Sequence, residues 1–304
     1  MRFSNVTCEQ LASRDLLLQA SLRASPTAYS IVDEYPIVLS PENRQYSFVL
    51  IDDATTHLIA HANLWPRRFI DRNTGVAYPI ALVGNVTTHP NYRARGFSRL
   101  LIEQLSQRVQ ETGLCAMFLW SDLVEFYHRL GFSQWGKEYR FYFQKSFLQA
   151  YSKSKRRYNG YRGSELEPSA LNKLLAGRYP VPVTLERSLL EYQRLLAIPD
   201  SVILIDEASL GNFCIIGKGQ DLIGVVHEWG FENQEAMLDA ICHILKITGW
   251  SEVVLLAPDS LDPTWQQGLA TYASKVEEHP TALAQFFTPW PFGSKSYIWG
   301  LDSI

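Results

Sequence analysis

The sequence predicts an α/β (α+β) fold, a mixed central sheet flanked by helices, built twice in tandem within 304 residues. Three observations carry that expectation. Apolar runs of strand length alternate with segments of helical periodicity. A strand, a short basic turn and a helix start follow one another directly across residues 86–98. The second half of the chain then repeats the order of the first in weaker form.

Residues 2–7 read as a strand, 9–24 have helical spacing, and a short helix is expected over 30–37. Residues 46–51 and 57–64 read as a hairpin around Asp52-Asp53-Ala54-Thr55. The long strand 78–88 leads into the basic turn. Phe97, Leu101, Ile102, Leu105 and Val109 then recur at helical spacing, and Gly113 is the C-terminal stop. Residues 114–120 read as the next buried strand, and 138–144 alternate like a terminal strand of the first half.

The spacing Arg93-x-x-Gly96-x-Ser98 has a physical logic. Gly96 lets backbone approach phosphate oxygens and adopt angles other residues avoid. Ser98 is small enough to keep the first helical turn open. Arg93, Arg95 and Arg99 add positive charge. The unpaired N–H groups of that turn and the helix dipole suit a pyrophosphate. By themselves the same residues also fit an ordinary strand–helix junction with solvated arginines.

The segment resembles the acetyl-CoA-binding motif, Arg/Gln-x-x-Gly-x-Gly/Ala, of the GCN5-related N-acetyltransferases, with Ser98 in the last small position. Downstream, Phe126-Tyr127-His128-Arg129-Leu130-Gly131-Phe132 resembles that family's Tyr-x-x-x-Gly-Phe helix and turn. The fuller phrase from Leu119-Trp120-Ser121-Asp122 onward is most similar to the branch typified by the enhanced-intracellular-survival acetyltransferases, although one extra residue stands between the serine and the tyrosine. The resemblance implies an acetyltransferase fold and acetyl-CoA as co-substrate. It implies that Ala94, Arg95, Gly96, Phe97, Ser98 and Arg99 hold the pyrophosphate, with Arg93 beside them. It implies that the strand end at Val86, Thr87 and Thr88 splays from its neighbour and binds the pantetheine arm and thioester through main chain. Tyr127 is then the general acid to the leaving thiolate, a phenol near 10 needing modest tuning toward a thiol near 8.5.

The base stays open among Asp122, Glu125, His128 and His89. In the resembling branch it is the chain's own terminal carboxylate, which here would be that of Ile304. The acceptor is a primary amine, on a small molecule or a protein.

In the second half, 201–208 echo 46–54, and 222–229 echo 58–65. A helix over 234–248 leads to a buried strand at 252–257. Where a phosphate loop belongs stands Gly230-Phe231-Glu232-Asn233-Gln234-Glu235, whose two glutamates at a helix start repel phosphate. The expected organisation is a catalytic domain over 1–150, a linker over 151–160 and a degenerate, non-binding acetyltransferase-like copy over 161–304. The basic run 152–157 reads as solvated linker or, more sharply, as contact with the cofactor's 3′-phosphate or an acidic surface.

Composition bounds the rest. With 46% hydrophobic residues the chain can bury two cores, and a net charge of −3 argues against nucleic acid as partner. No apolar run approaches a membrane span and no signal-peptide core opens the chain, so a cytoplasmic protein is expected. Cys8, Cys115, Cys214 and Cys242 lack metal spacing and read as reduced core thiols; no metal is expected. A homo-oligomer is left open. Two other readings compete with N-acetyl transfer: a non-catalytic acyl-CoA sensor or scaffold, and aminoacyl-tRNA-dependent peptide transfer. The intact loop and the lack of a basic surface count against the latter.

Overall fold

The computed structural model describes residues 1–23, 28–151, 156–292 and 296–304. Ala24, at the end of the expected first helix, and 152–155 of the expected linker lie outside them. The elements of the first part are β1 (Arg2–Asn5), α1 (Leu11–Leu22), α2 (Ile31–Glu34), β2 (Ser47–Ile51), β3 (Leu58–Asp71), β4 (Ala77–Thr88), α3 (Phe97–Glu111), β5 (Ala116–Leu119), α4 (Val124–His128) and β6 (Ser133–Trp135). Then come β7 (Glu138–Gln144), α5 (Phe147–Ala150), β8 (Tyr158–Tyr161), α6 (Pro168–Gly177), β9 (Val183–Leu185), α7 (Leu189–Leu196), β10 (Val202–Asp206), β11 (Ser209–Ile216) and β12 (Val225–Gly230). The chain closes with α8 (Gln234–Thr248), β13 (Glu252–Pro258), α9 (Pro263–Tyr272), β14 (Lys275–His279), β15 (Ala282–Phe286) and β16 (Ser296–Tyr297).

The chain forms two compact units, one of residues 1–135, 282–293 and 303–304, the other of 136–281 and 294–302. The first unit's sheet runs β1-β2-β3-β4-β5-β15-β6 and the second's runs β8-β10-β11-β12-β13-β7-β14. In both, every pair along this path is antiparallel except one, β4 with β5 and β12 with β13. The two sheets therefore share one topology, as the internal repeat predicted.

Their boundaries differ from the expected cut at residue 150. The strand expected at 138–144 to end the first half does form, but as β7 in the second unit's sheet. The matching slot of the first unit, between β5 and β6, is filled by β15. Side chains explain the destinations. Tyr139, Phe141 and Phe143 supply an aromatic stripe to the second core, while Leu283, between two alanines, joins the first. The linker is also shorter than expected, because β8 begins at Tyr158 and Arg156 pairs with Asp206 at 2.6 Å.

Helix α3 positions the candidate site. Leu101, Ile102, Leu105 and Val109 are fully buried on one stripe against the first core, each contributing roughly 1.5–3 kcal/mol by burial. Among the described residues, no helix is long and apolar enough to cross a membrane. The four cysteines are unpaired, as expected; Cys214 and Cys242 are buried, but Cys8 is exposed at the turn before α1 rather than in a core.

Candidate active site

In the first unit β4 is held along nearly its whole length by β3, from Ile70↔Ala77 to Ala60↔Thr88. On its other edge, pairing with β5 consists of Ala81↔Met117 and Leu82↔Phe118 alone. Beyond Leu82 the two strands part, which places Val86, Thr87 and Thr88 on an edge with free ladder groups. A bulge lies in the same stretch: between Asn63↔Gly84 and His61↔Thr87, β4 takes three steps to the two of β3. The bulge residue Asn85 has φ 52°.

The basic turn follows. Ala94 and Gly96 both have positive φ, 60° and 81°. Such a turn gathers successive backbone N–H groups into an anion-sized concavity. Gly96 is the N-cap of α3, and a Cβ there would meet nothing within 4 Å. Its glycine thus serves the backbone angle and an open face rather than a tight fit. Arg93 donates through Nε to the Thr88 carbonyl at 3.2 Å, and the Thr88 and Ser98 hydroxyls are 2.6 Å apart, pinning the loop to the strand end. Arg95 lies over the Tyr92 ring. Arg99 is turned along the helix to Glu103 at 2.8 Å, so its side chain forms an exposed i,i+4 pair.

Helix α4 carries Tyr127. Gly131 at φ 86° ends the turn, and Phe132 N–H returns to the Tyr127 carbonyl at 3.1 Å, a Schellman-type closure. Tyr127 is 5% exposed, with Phe126 and Phe132 edge-on to its ring. Burial pushes its phenol up to about 12. The tuning expected from sequence, toward a thiol, is therefore reversed. Full proton transfer from this phenol to a thiolate near 8.5 is uphill by about 5 kcal/mol.

Of the base candidates, Asp122, Glu125 and His128 are exposed, and His89 accepts from Asn91 N–H as the cap of its own turn. Ile304 lies elsewhere: a Cβ on Gly84 would be 2.5 Å from its carbonyl carbon and 2.7 Å from its oxygen. The last residue is thus packed on the cofactor strand, just ahead of the bulge.

Sequence reading missed three contributors. Gln285 on β15 accepts from Ser106 of α3 at 2.9 Å and donates to the Leu130 carbonyl at 3.2 Å, tying the cofactor helix to the Tyr127 turn. Ser47 and His61 sit buried behind the bulge, His61 with Nδ1 3.1 Å from the Asn85 carbonyl. None belongs to a local motif. Among the described residues, no cluster of three or more His, Cys, Asp or Glu is placed to hold a metal.

In the second unit the corresponding loop is closed. Asn233 caps α8 by accepting Ala236 N–H at 2.9 Å, and Glu232 accepts from Ser209 at 2.8 Å. Trp229 on β12 donates its indole N–H to the Leu256 carbonyl of β13 at 2.8 Å.

Comparison with known proteins matches this geometry to a family. Residues 22–135 match the model of the acetyltransferase (GNAT) domain. No curated protein matches the chain in sequence. Among solved structures, a GCN5-related N-acetyltransferase from Kribbella flavida superposes with TM-score 0.63 at 17% identity, covering 94% of this chain and 71% of that one. Another, from Anabaena variabilis ATCC 29413, gives 0.64 at 14%, covering 94% and 73%. Eis1 from Mycobacterium abscessus gives 0.60 at 13%, covering 94% and 74%. At these identities the likeness establishes the fold.

Proposed function

From the premise that residues 22–135 form a GNAT acetyltransferase domain, a family that uses acetyl-CoA, we propose that this protein transfers the acetyl group to a primary amine by direct attack on the thioester. The observation that carries the reading is the coincidence, in one unit, of an open strand edge, a positive-φ basic loop and a buried tyrosine. The residues present fit the co-substrate. Amides from Ala94 through Arg99, with Arg93, hold the pyrophosphate; the main chain of Val86, Thr87 and Thr88 takes the pantetheine arm and thioester carbonyl.

In the proposed step the Ile304 carboxylate takes the proton of the attacking amine, and the Val86 amide donates to the oxyanion as the tetrahedral centre forms. When the C–S bond breaks, Tyr127 donates to the departing sulfur. Its elevated pKa keeps it protonated below pH 12. It acts first as a hydrogen-bond donor to developing charge, and solvent replaces any proton it surrenders. The second unit binds no cofactor and shapes the acceptor's surroundings; the active protein is cytoplasmic and needs no metal.

The test is Tyr127→Phe, expected to lower kcat by about 10²-fold with acetyl-CoA affinity nearly intact. Unchanged turnover removes Tyr127 from the mechanism. Release of free thiol by the native protein with a panel of amines separates the enzyme from a sensor that binds acetyl-CoA and turns nothing over. The role of Ile304 is tested by removing residues 303–304 only, because Leu301 and Asp302 are fully buried and their loss would damage the fold. Full activity after that removal assigns the base elsewhere.

A further inference from the structure

His61, fully buried on β3, bridges two other strands. Its Nδ1 is 3.1 Å from the Asn85 carbonyl of β4, and its Nε2 is 2.7 Å from the Ser47 hydroxyl of β2. A carbonyl oxygen only accepts, so Nδ1 carries the proton and Nε2 accepts from Ser47. The tautomer is therefore set by these two partners.

The carbonyl it holds belongs to the bulge. Asn85 sits at φ 52°, a conformation costing roughly 1–2 kcal/mol for a residue with a Cβ, so something must keep it there. In a trans peptide the C=O and the following N–H point in opposite directions. Drawing the Asn85 carbonyl toward the imidazole on β3 turns the Val86 N–H away from β3. On that side β4 has no ladder with β5 beyond Leu82.

The second unit serves as an internal control. Its β12 also carries one extra residue, His227, between Ile216↔Val226 and Ile215↔Glu228. Among the described residues, β12 has no positive φ outside glycine. The buried His227 donates instead to Gly217 at the sheet end, at 2.9 Å, and holds no bulge carbonyl. A buried imidazole is thus present in both sheets, and only in the first does it grip the cofactor strand's bulge.

We infer that the Ser47–His61 pair is a positioning latch: by holding the Asn85 carbonyl it aims the Val86 amide at the thioester oxygen. This rests on the acetyl-transfer reading above. The latch touches neither co-substrate nor acceptor, and its effect belongs on kcat.

The experiment pairs two near-isosteric variants with a spectroscopic readout. His61→Asn places an N–H where Nδ1 was, whereas His61→Gln places one where Nε2 was. His61→Gln is expected to lower kcat by about 10²-fold, the scale for losing one oxyanion donor, with the acetyl-CoA Kd changed less than about threefold. His61→Asn restores most of the rate. In the native protein, nitrogen NMR of labelled histidine shows His61 protonated at Nδ1, a measurement independent of how well any variant folds. An Nε2-protonated ring, or equal kcat in His61→Gln and native protein, overturns the latch. Native protein that binds acetyl-CoA and acetylates no amine overturns the transferase reading instead, even with the tautomer as expected.

Discussion

The clefts beside β4 and β12 begin alike and end differently. In each sheet the parallel pair keeps two register positions, Ala81↔Met117 and Leu82↔Phe118 in one and Val225↔Val254 and Val226↔Leu255 in the other. Beyond them, the first cleft has its strand turned by the Asn85 bulge and faces a loop whose amides converge. The second is filled by Trp229, hydrogen-bonded across the gap to Leu256 and packed against Tyr179, Trp265 and Trp299. Its helix N-terminus is satisfied by Asn233 rather than left for an anion. Topology supplies a splay in both units; the residue in the splay and the cap on the helix decide whether it holds a ligand.

The largest effect expected from breaking this comparison concerns the units themselves. A fragment of residues 1–150 lacks β15, which pairs with both β5 and β6, and carries β7 without its partners β13 and β14. It is expected not to fold cooperatively. A sharp thermal transition in that fragment would show that the first unit is self-sufficient. Next, Trp229→Ala should destabilise the protein by about 3–5 kcal/mol, the cost of emptying a large buried aromatic site, without adding a second acetyl-CoA equivalent. Denaturant titration and calorimetric stoichiometry check the two halves of that statement. Two bound equivalents would make the tryptophan the sole barrier and the helix cap irrelevant. Third, Gly96→Asp places a side chain at φ 81° and a negative charge at the start of α3. It should weaken acetyl-CoA binding at least about 10²-fold, which calorimetry reads directly. Normal affinity would separate the first cleft's openness from any role as a phosphate cradle.

Much of the active unit was legible because its chemistry is local. The strand–turn–helix junction at Val86–Ser98 and the Tyr127-to-Phe132 turn each lie within one short stretch, where glycine angles and helical spacing are written in adjacent residues. The start of α8 at Gln234 was legible for the same reason. Its two glutamates were rightly read as marking the second loop apart, but the sequence could not show Trp229 filling the gap, because Leu256 stands 27 residues further on. Gln285 stands 155 residues from the carbonyl it holds, and no periodicity links them.

The sequence by itself therefore determined the repeated α/β pattern, the single phosphate-compatible loop and the tyrosine beside it, since short-range sterics and hydrogen bonding fix those features. The tertiary structure alone decided the strand exchange, the burial that raises the Tyr127 phenol and the placement of Ile304 against Gly84. It likewise decided the grip of His61 on Asn85. These depend on which apolar faces find each other across the sheets. The free energy of that burial is summed over distant residues, so no single segment of the chain records it.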